Sequence, residues 1–196
     1  MASSAFFYGT LMHPKILKLV IQNDASHVQI CAADLTYGED YPAVVSYEKG
    51  HTLFDRELNA EERCVRGTLV RGLTARDIAR LDAFEGEEYI RQELSVHPLT
   101  AFAPVRSDGE ISGELNTIPS MPPHLPDSLA EPVLAHTYVW LVDISRLEAE
   151  LWSYADFVKH NAWKWYGDGT EVAEEELSER RRRLLEEEKG SVQVAA

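Results

Sequence analysis

Apolar residues fall in short runs along most of the chain, separated by glycine, proline and charged breakers. Ala5-Phe6-Phe7-Tyr8 reads as a short apolar strand ended by Gly9, and Pro14 then opens a helix in which Ile16, Leu17, Val20 and Ile21 share one face. Val28 to Tyr37, Ala43 to Tyr47, Cys64 to Val70, Tyr89 to His97 and His136 to Val142 read as strands. Within Tyr89 to His97, Ile90, Leu94 and Val96 lie on one face and Tyr89, Arg91 and Glu93 on the other, the pattern of a half-buried strand. Thr74-Ala-Arg-Asp77 supplies an N-terminal cap for a second helix that ends near Glu85. The pattern is α+β, mainly strands with two helices.

Two segments break this pattern. Six of the nine prolines lie between Ala101 and Leu134, including Pro119-Ser-Met-Pro-Pro-His-Leu-Pro126. Proline lacks the backbone donor and clashes with a preceding helical turn, so residues 101–134 read as a long loop insert. After the Gly167-Asp-Gly169 breaker, residues 171–190 combine high helix propensity, acids at the start and Gly190 at the end. Its sparse apolar set, Val172, Leu177, Leu184 and Leu185, fits a largely solvated helix, with partner binding as the alternative. The expected organisation is one domain over residues 1–169 and a charged helical tail over 170–196.

Charge narrows the function classes. The 196 residues carry a formal net charge of −14. Half of it sits outside the body, −4 in residues 101–134 and −3 in residues 171–196. An acidic chain is poorly matched to nucleic acid or to anionic membrane surfaces, whose binding rests on lysine and arginine, and the one dense basic run, Arg180 to Arg183, is set among glutamates. No apolar run approaches the ~20 residues needed to span a bilayer. Cys31 and Cys64 lack a metal-type spacing and read as buried thiols of a reducing compartment, so a cytoplasmic location is expected. The scattered histidines point to no metal site.

Three features could carry chemistry. The strand-to-helix junction Tyr8-Gly9-Thr10-Leu11-Met12-His13 would leave the N–H groups of Gly9 to Met12 convergent and able to hold a carboxylate or phosphate, although such turns also occur without ligands. On the second helix Ile78, Leu81 and Glu85 stand at spacings of three and four, which puts the Glu85 carboxylate on the buried stripe, while Asp82 lies nearer solvent. Such a carboxylate is either paired, with Arg91 as the available structural partner, or has its pKa raised towards the range of a general base. Third, Tyr41, Tyr138, Trp163 and Trp165 are either ordinary core or part of a pocket lining.

Taken in order, the segments Phe7-Tyr8-Gly9-Thr10-Leu11, Tyr41-Pro42-Ala43, Arg66-Gly67-Thr68-Leu69-Val70, Leu81-Asp-Ala-Phe-Glu85-Gly-Glu-Glu-Tyr89-Ile-Arg91 and Thr137-Tyr138-Val139-Trp140 resemble the gamma-glutamyl cyclotransferase-like proteins. The likeness is greatest to the branch with gamma-glutamylamine cyclotransferase and the plant avirulence-induced proteins. It covers about Ala5 to Val142, and Trp152 to Tyr166 resembles that branch's closing segment. The resemblance implies a small twisted mixed β-barrel flanked by helices, with a cavity at one end. It implies Glu85 as the catalytic acid/base, the turn Tyr8, Gly9, Thr10, Leu11, Met12 and His13 as the holder of a γ-glutamyl substrate, Tyr138 as a hydrogen-bond partner of the substrate or of Glu85, and, more weakly, Tyr41 as a substrate contact. The implied products are 5-oxoproline and a free amine or amino acid, with no metal or organic cofactor. Two alternatives stand beside it: another proton transfer at Glu85, such as an isomerase, lyase or lactonising step, and a non-catalytic small-molecule binding module. The tail helix is a candidate for self-association.

Overall fold

The computed structural model describes residues 2–35, 64–105, 126, 128–141, 143, 147–166, 183 and 192–195. The order of elements is β1 (Ser3–Phe7), a 3-10 turn (Thr10–Met12), α1 (Pro14–Ile21), β2 (Gln29–Leu35), β3 (Val65–Leu73), α2 (Ala75–Glu85), a second 3-10 turn (Gly86–Glu88), β4 (Tyr89–Pro98), β5 (Ala103–Pro104), β6 (Val133–Trp140), β7 (Leu147–Trp152), α3 (Tyr154–His160), α4 (Trp163–Tyr166) and β8 (Val192–Ala195). The tail helix expected over residues 171–190 lies outside the described residues apart from Arg183, which is helical, as does the strand expected at Ala43 to Tyr47. Ala103–Pro104 and Val133–Trp140 are strands, so both ends of the proline-rich insert are shorter than the composition implied.

Six strands form one twisted sheet in the order β3-β1-β6-β4-β2-β5, and a further pairing of β2 with β3 closes five of them into a barrel. The barrel is mixed: β1 runs antiparallel to β3 but parallel to β6, and β4 and β6 form an eight-pair antiparallel ladder from Tyr89↔Trp140 to Val96↔Val133. On its free side β2 meets β4 at Ala33 and Asp34 and β5 at Gln29 and Ile30. Closure removes the unpaired edges that an open sheet presents. β7 and β8 pair in parallel as a separate two-stranded sheet.

Alternation along the strands divides the core in two. Phe6, Cys31, Ala33, Leu35, Val65, Leu69, Val96 and Ala135 fill the barrel interior. Here Gly67 is required by packing, since a Cβ on it would stand 2.6 Å from the Phe6 ring and 2.3 Å from the Phe7 carbonyl oxygen. The outward residues Ala5, Phe7, Ile30 and Val70 pack under the helices against Ile16, Leu17, Val20 and Ile21 of α1 and Ile78, Leu81 and Phe84 of α2. At about 25 cal/mol per Å² of apolar area this layer is the main force seating the helices. Both cysteines are buried free thiols, and burial pushes the Cys31 thiol up to about 12.

The two faces expected for β4 hold along its unbroken register with β6, but exposure departs from them at its start. Ile90 is 42% exposed, whereas Tyr89 packs against both halves of the core and stacks edge-on upon Trp140, with ring centroids 5.2 Å apart. Tyr89 shares its face with Arg91 and covers its larger aromatic surface against Trp140.

Candidate active site

The site lies where the ends of β1 and α2 meet β6. Helix α2 begins with a reciprocal cap: the Thr74 hydroxyl accepts the Asp77 N–H at 3.2 Å, and Asp77 accepts the Thr74 N–H at 2.8 Å. It ends at Glu85 because Gly86 adopts a φ of 73°, a conformation that favours glycine. Arg80 ties α2 to α1 by donating to the Ile21 carbonyl. Phe84 stacks on Trp165 of α4, with centroids 5.8 Å apart. Glu85 is thus a half-buried residue on the last turn of a helix anchored at both ends.

Two tyrosines converge on it. Tyr8 donates its hydroxyl to the backbone carbonyl of Tyr138, and Tyr138 donates its own to Asp82 Oδ1 at 2.9 Å. Desolvation holds the Tyr8 phenol well above its ordinary pKa, with the Tyr89 and Glu85 charges adding to it. The Tyr138 phenol is raised by burial, by its hydrogen bond to Asp82 and by the charges of Asp82 and Glu85. Both phenols therefore stay protonated through the neutral range. Glu85 is close enough to act electrostatically on each.

The partners differ from expectation in two places. Arg91 does not serve as the counter-ion of Glu85: its Nε donates to Asp82 Oδ1 at 2.8 Å. Tyr138 likewise bonds Asp82, not Glu85. Asp82 sits one turn before Glu85, so one helix face offers two carboxylates and the nearer one receives both donors.

The Gly9 turn is narrower than its sequence implied. The Met12 N–H donates to the Gly9 carbonyl at 2.9 Å and the His13 N–H to the Thr10 carbonyl at 3.2 Å. Among the described residues this leaves the N–H groups of Gly9 and Leu11 available for a ligand. Thr10, Leu11 and Met12 bury their side chains, whereas a Cβ on Gly9 would meet no atom within 4 Å. Gly9 therefore faces open space, which lets a ligand approach the backbone. His13 caps α1, its Nδ1 accepting the Lys15 N–H at 3.3 Å. Burial, with a smaller contribution from Lys15, lowers its pKa to about 4, so the ring is neutral. Tyr41 lies outside the described residues.

Among the described residues no three His, Cys, Asp or Glu side chains cluster so as to hold a metal ion, and no helix is long and apolar enough to cross a membrane. Sequence reasoning placed Asp82 nearer solvent and gave it no role, although its three-residue offset from Glu85 and the arginine six residues beyond Glu85 were both readable.

The closed barrel thus carries a helix-borne glutamate near two buried tyrosines and an open backbone turn. The chain belongs to the family described as gamma-glutamyl cyclotransferase, AIG2-like, whose sequence model matches residues 5–114. Tyr138 lies beyond that match and joins the site through the pairing of β6 with β1 and β4. No curated protein sequence matches the chain significantly. Solved structures similar to it include two solution structures from Arabidopsis thaliana. At3g28950.1 is 19% identical over 96% of this chain and 85% of that one, with a TM-score of 0.43. At5g39720.1 is 19% identical over 96% and 93%, with a TM-score of 0.40. A yeast gamma-glutamyl cyclotransferase specific to glutathione is 16% identical over 71% of this chain and 69% of that one, with a TM-score of 0.37. Family membership rests on the sequence match.

Proposed function

We propose that the protein cyclises a γ-glutamyl amine or γ-glutamyl amino acid to 5-oxoproline and releases the amine, with Glu85 as general acid/base. The observation that carries this reading is a half-buried Glu85 one turn beyond Asp82, which accepts the Tyr138 hydroxyl, with Tyr8 bonded to the Tyr138 carbonyl and leading directly into the open Gly9 turn. Family membership supports the same class.

In the reaction the N–H groups of Gly9 and Leu11 hold the substrate's α-carboxylate. Glu85 takes a proton from the α-ammonium, and the freed amine attacks its own γ-carbonyl carbon to form the ring C–N bond. Glu85 then returns that proton to the departing nitrogen as the original C–N bond breaks, and the second proton lost by the ring nitrogen passes to the released amine, which departs as its ammonium form. The step is balanced without oxidant, reductant or water. Because nucleophile and electrophile belong to one molecule, holding it folded supplies much of the acceleration. The cofactor-free expectation is consistent with this proton inventory.

The test is incubation with a panel of γ-glutamyl amino acids and γ-glutamyl amines, reading 5-oxoproline and the free amine by mass spectrometry. Equimolar release of both from at least one member is expected. Absence of turnover across the panel would overturn the reading in favour of another proton transfer or a binding module.

A further inference from the structure

We propose that Asp82 is a positioning residue that fixes the hydroxyl proton of Tyr138, so that the Tyr138 oxygen meets the substrate as a hydrogen-bond acceptor for its ammonium group. The inference rests on the cyclotransferase reading above.

A phenol has one proton and two acceptor sites. Tyr138 spends its proton on Asp82 Oδ1 at 2.9 Å, and the same oxygen accepts from Arg91 Nε at 2.8 Å. Arg91 and Tyr138 are direct partners across the β4–β6 ladder, so both reach the carboxylate from one face of the sheet. Asp82 thereby links these strands to α2, one turn before Glu85. Tyr8 spends its own proton on the Tyr138 carbonyl. Both phenols near Glu85 accordingly turn lone pairs, not protons, towards a ligand.

A carboxylate flanked by two acceptor oxygens matches an N–H donor, and an ammonium ion supplies three. The Gly9 turn, where a Cβ on Gly9 would meet no atom within 4 Å, leaves room for a carboxylate beside its backbone. The site therefore distinguishes the two ends of an α-amino acid, and Asp82 sets the polarity at the ammonium end. With Asp82 removed, the Tyr138 hydroxyl can rotate and offer its proton to Glu85 or to the substrate nitrogen, competing with the proton transfer itself.

The proposal is tested by Asp82→Ala, Asp82→Asn, Tyr138→Phe and the double variant D82A/Y138F, with the panel member that wild type turns over fastest. Asp82 is 41% exposed, so the variants are expected to fold, which circular dichroism checks. Single loss of Asp82 or of the Tyr138 hydroxyl is expected to lower kcat/KM about 10- to 100-fold, the range for a hydrogen bond to a charged group. The double variant should fall no more than about 2-fold below Y138F, because Asp82 acts through that hydroxyl. D82N, whose amide oxygen still accepts from Tyr138, should recover most of the loss. Independent losses that multiply, or D82A within about 2-fold of wild type, would overturn the proposal.

A second measurement needs no turnover. In full-length protein with 13Cζ-labelled tyrosine, the Tyr138 signal, assigned by its absence in Y138F, should shift in D82A. Turnover by wild type with an unshifted signal overturns the role of Asp82 alone. No turnover across the panel overturns the cyclotransferase reading, and the role of Asp82 with it.

Discussion

The two ends of α2 each carry carboxylates, and they are treated in opposite ways. At the start, Asp77 is 1% exposed and receives Asn23 Nδ2 at 2.7 Å, His27 Nε2 at 2.8 Å and both the N–H and the hydroxyl of Thr74 at 2.8 and 2.7 Å. Burial pushes its pKa up, but these donors outweigh it and hold the carboxyl below its usual range. At the far end, Asp82 is 41% exposed and Glu85 half-buried, among tyrosines and beside an open turn. The saturated carboxylate fixes the helix to the α1–β2 connection. The pair at the far end stays partly exposed.

The sharpest way to break this contrast is to neutralise Glu85. Glu85→Gln should lower kcat/KM by about 10²- to 10⁴-fold with little change in the urea midpoint, since general acid/base groups contribute on that scale. Retained activity would remove Glu85 from the chemistry. Asp77→Ala should do the reverse, costing about 2–4 kcal/mol in urea unfolding by orphaning buried donors, while the folded fraction keeps its kcat.

The same contrast recurs between two glycines. Gly67→Ala forces a methyl against Phe6 and the Phe7 carbonyl and should cost about 1–3 kcal/mol in stability. Gly9→Ala meets no atom within 4 Å, so its unfolding midpoint should stay near wild type while KM rises; an unchanged KM would remove the turn from substrate binding.

The smallest effect concerns the cap of α1. His13 is held neutral down to about pH 4, whereas in the unfolded chain it titrates near ~6.5. Between these values the unfolded state binds more protons, so this contribution is complete above about pH 6.5 and is lost as pH falls towards 4. His13→Asn keeps a capping acceptor without the titration. The stability difference between pH 7.5 and pH 4.5 should accordingly shrink in urea titrations of the variant.

Much of this architecture was legible in local pattern. The apolar stripe Ile16, Leu17, Val20 and Ile21, the Thr74 cap and the helix end near Glu85 are all short-range features, and the structure shows each of them. Glu85 stood out because a carboxylate on an apolar stripe is costly. The pairing of Arg91 and Tyr138 with Asp82 was not legible, because it depends on strand register between segments about fifty residues apart, and two carboxylates on one helix face compete for the same donors. The exposure of Ile90 also escaped the pattern, since alternation assigns a residue to a face but not how far that face is covered at the end of a strand.

Sequence alone determined β1 to β4, β6, α1 and α2, but not β5, β7, β8, α3 or α4, together with the strand–glycine–helix turn and the carboxylate most in need of explanation, because propensity, capping and periodicity act over a few residues. Only the tertiary structure decided which groups share a site. Barrel closure through β2 and β3 and the β4–β6 register bring Tyr8, Asp82, Glu85, Arg91 and Tyr138 together, and hydrogen-bond directions, set by three-dimensional distance, then decide which oxygens donate and which accept.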